Sequence, residues 1–203
     1  MAGRGSMALS RRPLLRRAAL AVGAVRRSRL AVGLAAIAAT GLLAVFAAAI
    51  WISRPLPPEM ARPGVVPSLV IQDRHGLTLR TTRAEDGSRG GWVPFAEVDP
   101  ELIQAFVAAE DRRFFEHRGV DLRAVARALR DNLAAGRVVS GASTLSMQTA
   151  RLLRPTSRSW RGKLAQALWA LRLEAHLDKA TILEQYLNRV PLGQGAVGVE
   201  AAA

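Results

Sequence analysis

FVAAEDRRFFEHRGVD, residues Phe106 to Asp121, decides how this chain folds. The helix it belongs to starts upstream, where Asp99 is a good N-cap, Pro100 takes the first helical position and Glu101 the first turn. Ile103, Phe106, Val107 and Phe114 then recur at helical spacing and predict one broad apolar face. Steps of +4, +7 and +11 from Ile103 reach Val107, Glu110 and Phe114, which puts Glu110 in the middle of the stripe expected to face inward. A carboxylate there must be paired, neutral or lining a cleft, because burying an unpaired charge is costly. Desolvation also makes a carboxylate more basic, which suits a general base. The plainer reading is an ion pair at the helix end with Arg112 or Arg113.

Outward from this stretch the helical pattern continues. Asp121 reads as the N-cap of a second helix with Leu122, Val125, Ala126, Leu129 and Leu133 as its stripe and Gly136 as its stop. Gly141-Ala142-Ser143-Thr144 opens a third segment that ends before Pro155. Trp160 to Leu177 predicts a fourth helix with Leu164, Leu168, Leu171 and Ala175 on one face. Asp178 caps a fifth, with Ile182, Leu183, Tyr186 and Leu187 apolar, and glycines 193, 195 and 198 then break the pattern. Upstream, Ser68 to Thr82 reads as a hairpin turning at Arg74-His75-Gly76, followed by a polar loop over residues 83 to 91. His75 is most simply a turn residue, against a metal or catalytic role, and His176 reads as a surface residue. The fold class is mainly α with a small β hairpin.

The amino-terminal third is of another kind. Leu30 to Ile52 is 23 residues without a charge, and roughly 20 apolar residues cross a bilayer. The run is long for a signal-peptide core and lacks a cleavage site before Trp51, so an uncleaved anchor is the expectation. Eight arginines precede residue 30 and no acid appears before Glu59; without those eight the net charge of +13 falls to +5. The basic flank marks the cytoplasmic side, and the high charge is no argument for nucleic acid. The chain divides into a cytoplasmic tail over 1–29, a transmembrane helix over 30–52, a stiff Pro-rich spacer over 53–67 and an extracytoplasmic domain over 68–203. There is no Cys, which excludes disulfides, thiolate metal sites and a thiol nucleophile.

Four stretches in order, AEDRRFFEHRGVD (109–121), GASTLSMQTAR (141–151), GKLAQALWALRLE (162–174) and KATILEQYLN (179–188), together with the tail PLGQGAVGVEAAA, resemble the motifs of the peptidoglycan glycosyltransferases of family 51. These occur in class A penicillin-binding proteins and in monofunctional transglycosylases, and the resemblance covers about residues 69 to 203. It implies a lysozyme-like helical domain at the outer membrane–water interface. It implies an enzyme that polymerises lipid II, inverting the donor anomeric carbon and releasing undecaprenyl pyrophosphate. In the family the Glu of the first motif is the general base, which maps to Glu110. Asp111 and His117 flank it, with support of the site or a structural hydrogen bond as alternatives. Ser143, Thr144 and Gln148 match groups that bond sugar or phosphate oxygens, and the Ser-Thr pair also reads as a helix cap. Arg151 and Lys163 stand where cations would answer the charge of the leaving pyrophosphate, against a reading as a solvated helix face. Asn188 is an active-site neighbour or a helix C-terminal residue. No cofactor is implied beyond a divalent cation, Mg or Mn, at the pyrophosphate. The expected partners are lipid II, the growing glycan strand, the inner membrane and other cell-wall synthesis proteins.

Two departures stand out: Gly162 and Gln166 occupy positions where most members carry Arg and Glu, and Met147-Gln148 replaces Gln-Gln. Both are most similar to the 1C branch of class A proteins. Family domains continue past GVEAAA, and no Ser-x-x-Lys or Lys-Thr-Gly occurs, so an amino-terminal fragment without transpeptidase chemistry is expected. A hydrolase on the same fold is disfavoured, since glycosidases rely on a carboxylate pair and Gln166 is an amide. The remaining alternative is an inactive paralogue that binds lipid II or synthase partners.

Overall fold

The computed structural model describes residues 12–61, 64, 70–82 and 89–202. The chain forms two compact units, Met1–Ala49 and Ile50–Ala203. The described residues of the first belong to α1, which begins at Arg12 and runs to Ser53 at the start of the second unit. Its stretch Ala31–Ser53 has a mean hydropathy of 2.2 and is long and apolar enough to cross a membrane. Side chains such as Leu42 and Ile37 are exposed, as suits an apolar surround.

In the second unit, α2 (Pro58–Ala61) follows closely. The described residues 53–61 of the expected spacer are therefore not plain linker: Met60 is buried and Leu56 packs on the core. Pro63 and Pro67 lie outside the described residues. β1 (Val70–Gln72) and β2 (Thr78–Thr81) form the expected antiparallel hairpin. Asp73 Oδ1 closes the turn by accepting from the amides of His75 (2.8 Å) and Leu77 (2.9 Å), so His75 is a turn residue. Ser68 and Leu69, with residues 83–88 of the expected polar loop, lie outside the described residues.

The helices follow their caps. α3 (Pro100–Glu110) starts at Asp99, whose carboxylate accepts from the amide of Glu101. α4 (Leu122–Ala135) starts at Asp121 and stops at Gly136. α5 (Leu145–Leu153) is capped by Thr144, α6 (Trp160–His176) by Ser159 and α7 (Lys179–Leu187) by Asp178. Short 3-10 turns at Phe95–Glu97 and Phe114–Glu116 flank α3. The core is built from Phe114, Leu145, Leu173, Ile182, Leu183 and Leu187, all fully buried, with the half-buried face of α3 (Ile103, Phe106, Val107) laid against it.

Three expectations fail here. Arg89–Gly90 is a strand, β3, and not loop; it pairs in parallel with β5 (Ala196–Val197), which pairs antiparallel with β4 (Pro191–Gly193). The stripe of α4 does not face a core: Leu122, Leu129 and Leu133 are 75%, 59% and 74% exposed. The buried line of α6 is Gly162, Gln166, Ala170 and Leu173, while Leu164 is exposed. Small residues line that face because the backbone of another segment comes against it. A Cβ on Gly119 would lie 2.8 Å from the carbonyl carbon of Ala170, and one on Gly162 would lie 2.0 Å from the carbonyl oxygen of Ser157. The departure at Gly162 is therefore a steric requirement of the turn that enters α6.

Candidate functional site

Glu110 is the last residue of α3, and its carboxylate is exposed. The burial implied by its stripe position is absent, because no residue of α3 is fully buried and the helix ends as it leaves the core. The helix-end ion pair is absent too. Arg112 Nε donates to the carbonyl of Ala108 at 3.3 Å, and Arg113 Nη2 donates to Asp121 Oδ1 at 2.7 Å. Arg113 Nε lies 3.6 Å from Glu116, an ion pair too long for a hydrogen bond. What orients Glu110 is Gln148 on α5, whose Nε2 donates to Oε2 at 2.8 Å. Behind Gln148, the Tyr186 hydroxyl of α7 stands 3.5 Å from its Oε1. Burial and the nearby Glu110 charge push the Tyr186 phenol up to about 12, against a smaller opposing pull from Arg151. Tyr186 therefore stays protonated and available as a donor to the amide that holds the carboxylate.

Two cavities meet at Ser143, which lines both. One, of about 410 Å³, is bordered by Glu110, Arg112, Arg113, Arg127 and residues 141–144. The other, of about 240 Å³, is lined by Ser143, Gln148, Arg151, Lys163 and Gln166. Lys163 Nζ, from the first turn of α6, donates to Ser143 Oγ and to Gln166 Oε1 (3.2 Å). Burial, and next the Arg151 cation, lower its pKa from the ordinary lysine value. Neither cation has an acidic partner among the described residues, so the smaller cavity is an unneutralised cationic pocket.

The remaining candidates spend their polar atoms inside the fold. Asp111, 8% exposed, receives His117 Nε2 at 3.0 Å and the amide of Leu145 at 3.0 Å, which ties the end of α3 to the start of α5. A carboxylate accepts only, so Nε2 carries the proton, while Nδ1 is buried without a partner. Lys179 Nζ donates to the His117 carbonyl and to Glu174 Oε1, both at 2.7 Å, and Ser146 Oγ also donates to Glu174. Thr144 is the cap of α5 and donates to the Gly119 carbonyl at 2.6 Å. Asn188, 2% exposed, caps α7 and pins the Val93 backbone through both ends of its amide. Asp111 and Thr144 border the larger cavity, and apart from His117 Nδ1 the polar groups of these four satisfy backbone groups or charges that would otherwise be buried unpaired. Tyr186 and Thr156 were not expected. Tyr186 reads as a core aromatic at helical spacing, and Thr156 carries no pattern at all.

The acids do not suit a metal. No group of three or more His, Asp or Glu side chains gathers among the described residues. Asp111 and Asp121 are engaged internally, which leaves Glu110. A Mg or Mn ion at a diphosphate would have to draw its other ligands from the substrate.

Residues 75–203 match the family model described as Transglycosylase. The chain is 42% identical over 139 residues to penicillin-binding protein 1C of Escherichia coli, covering 68% of this chain and 18% of that protein. It is 41% identical over 128 residues to a biosynthetic peptidoglycan transglycosylase of Nitrosospira multiformis, covering 62% of this chain and 55% of the other. To penicillin-binding protein 2D of Bacillus subtilis it is 37% identical over 173 residues, 84% of this chain and 24% of that one. The chain thus spans about half of these relatives' length or less. With the matched region covering α3 to β5 and every residue of the cleft, the chain belongs to the transglycosylase family.

Proposed function

We propose that this chain is a glycosyltransferase of cell-wall synthesis that polymerises lipid II into glycan strands at the outer face of the inner membrane. The observation that carries the reading is one exposed carboxylate, Glu110, set by Gln148 at the edge of a cationic pocket. In this reading the acceptor sugar's C4 hydroxyl attacks C1 of the donor. Glu110 takes the hydroxyl proton as the new C1–O4 bond forms. The bond from C1 to the pyrophosphate oxygen breaks on the opposite face, which inverts C1 and releases undecaprenyl pyrophosphate. Arg151 and Lys163 are placed to meet the charge that develops on the leaving group, where fixed cations help most. Ser143 holds Lys163 toward it. The apolar stretch Ala31–Ser53 anchors the chain, and its Arg-rich flank argues for a cytoplasmic amino terminus and an extracytoplasmic cleft.

The test is Glu110→Gln, which keeps the size and the hydrogen bond to Gln148 and removes the proton acceptor. Polymerisation in detergent should fall by about 10²-fold or more, while lipid II still binds. Polymerisation at the wild-type rate would remove Glu110 from the base role.

A further inference from the structure

The cationic pocket holds Gln166 at its inner end, 8% exposed, with both ends of the amide in use. Oε1 accepts from Lys163 Nζ at 3.2 Å, and Nε2 donates to Thr156 Oγ1 at 2.8 Å. Thr156 sits in the connection between α5 and α6, so the relay runs from that turn through the amide to the ammonium. We infer that Thr156 and Gln166 form a positioning pair that orients Lys163 without cancelling its charge, so that the pocket is tuned for a doubly phosphorylated ligand. The inference rests on reading this pocket as the leaving-group site.

The argument is one of charge at constant shape. A carboxylate at position 166 would hold Nζ equally well, but it would neutralise half of the pocket's two cations. An amide oxygen supplies the same acceptor with no net charge. The pocket is also unfavourable to itself when empty: Arg151 and Lys163 face it together, and burial compounds their repulsion. A structural ion pair would relieve that cost internally. Here the relief must come from a bound anion, and a diphosphate, which presents several charges over a short span, relieves more of it than a monoanion. The donor set is complementary as well: an ammonium, a guanidinium and a hydroxyl line one small pocket.

The experiment is titration of inorganic diphosphate into the full chain in detergent at low salt. Wild type is compared with Gln166→Glu, Gln166→Ala and Thr156→Val, and Tm is recorded for each. Gln166→Glu should weaken diphosphate binding by about tenfold with Tm unchanged. Gln166→Ala should weaken it by about threefold while costing more in Tm, and Thr156→Val by a similar factor. A merely structural role predicts the opposite order, with Glu harmless to binding and Ala worst. Diphosphate bound by Gln166→Glu as tightly as by wild type would overturn the inference and leave the leaving-group site standing. Unchanged binding by Thr156→Val would overturn the relay. No diphosphate binding by wild type would overturn the reading of the pocket and this inference with it.

Discussion

At the scale of single residues, the cleft works by contrast between groups that are spent and groups that are free. Asp111, Thr144 and Asn188 are satisfied inside the fold, and His117 through Nε2, whereas Glu110, Arg151 and Lys163 are exposed. Lys163 makes this measurable, because an anion binds its charged form. Its pKa is held below the ordinary lysine value by burial and by Arg151. As pH rises through that lowered pKa the ammonium loses its proton, so anion affinity should fall at lower pH than for a free lysine. Arg151→Gln removes one of the two causes and should move this alkaline limb back up, while lowering affinity at neutral pH. Sulfate, whose charge is constant over the range, is the probe for both titrations. A limb that stays in place in Arg151→Gln would show that the two cations do not sense each other. Replacing the ammonium outright, Lys163→Ala should slow turnover by about 10- to 100-fold with a smaller change in KM, since a cation that answers leaving-group charge acts mainly in the transition state. An unchanged rate would return Lys163 to a solvated helix face.

Elements carry the next set of constraints, and α6 is the most demanding. Its first turn must pass under the Ser157 carbonyl, where a Cβ at position 162 would stand 2.0 Å away. Alanine is the better helix former by about 1 kcal/mol, yet overpacking of this kind costs about 1–3 kcal/mol. Gly162→Ala should therefore lower Tm by a few degrees and loosen the Ser159 cap, which bonds the amide of Gly162 at 3.1 Å. A raised Tm would mean that the turn yields freely. This element also shows where sequence reasoning stops. The starts of α3, α4, α5 and α7 were legible because a cap is a local bond between a side chain and an amide two or three residues on. The buried face of α6 was not, because Gly162 and Ala170 were chosen for thinness, and a search for large apolar side chains passes over them. The leucines of α4 misled in the other direction: their spacing proves an amphipathic helix but not what covers it. The pairing of β3 with β5 joins residues 89–90 to 196–197, and strands two residues long leave no periodic signal. Glu110 was legible as a candidate, while its exposure depends on where α3 parts from the core, which one helix's periodicity does not record.

For the folded unit as a whole, the decisive joint is where the chain leaves the apolar helix. Arg172 on α6, 7% exposed, donates Nε to the Arg54 carbonyl at 3.2 Å and Nη2 to the Pro55 carbonyl at 2.6 Å. Its guanidinium lies 4.5 Å from the Trp51 ring centroid and 5.0 Å from that of Trp169, and the two rings meet edge to face at 4.7 Å. His176 is exposed, as its sequence suggested, and its Nε2 stands 3.0 Å from the Ile52 carbonyl, which makes it part of this joint. The charge is held without an acidic partner among the described residues, by carbonyl dipoles and aromatic faces, a set that only the planar, forked guanidinium can satisfy at once. The same helix carries Lys163 and Gln166 about two turns earlier, so the joint binds the chain's exit to the element that bears the cleft's cation. Arg172→Met preserves bulk but removes two charge-assisted bonds and the stacking. The loss should be about 2–4 kcal/mol, since the freed carbonyls regain water in part. Local opening should follow at residues 51–57, read as amide exchange faster by about 10- to 10²-fold there, while α7 keeps its protection. Arg172→Lys should restore little, because a single ammonium cannot reach both carbonyls and contact both rings at once. Exchange at 51–57 equal to wild type would show that Trp51 and Leu56 hold the segment by apolar packing alone.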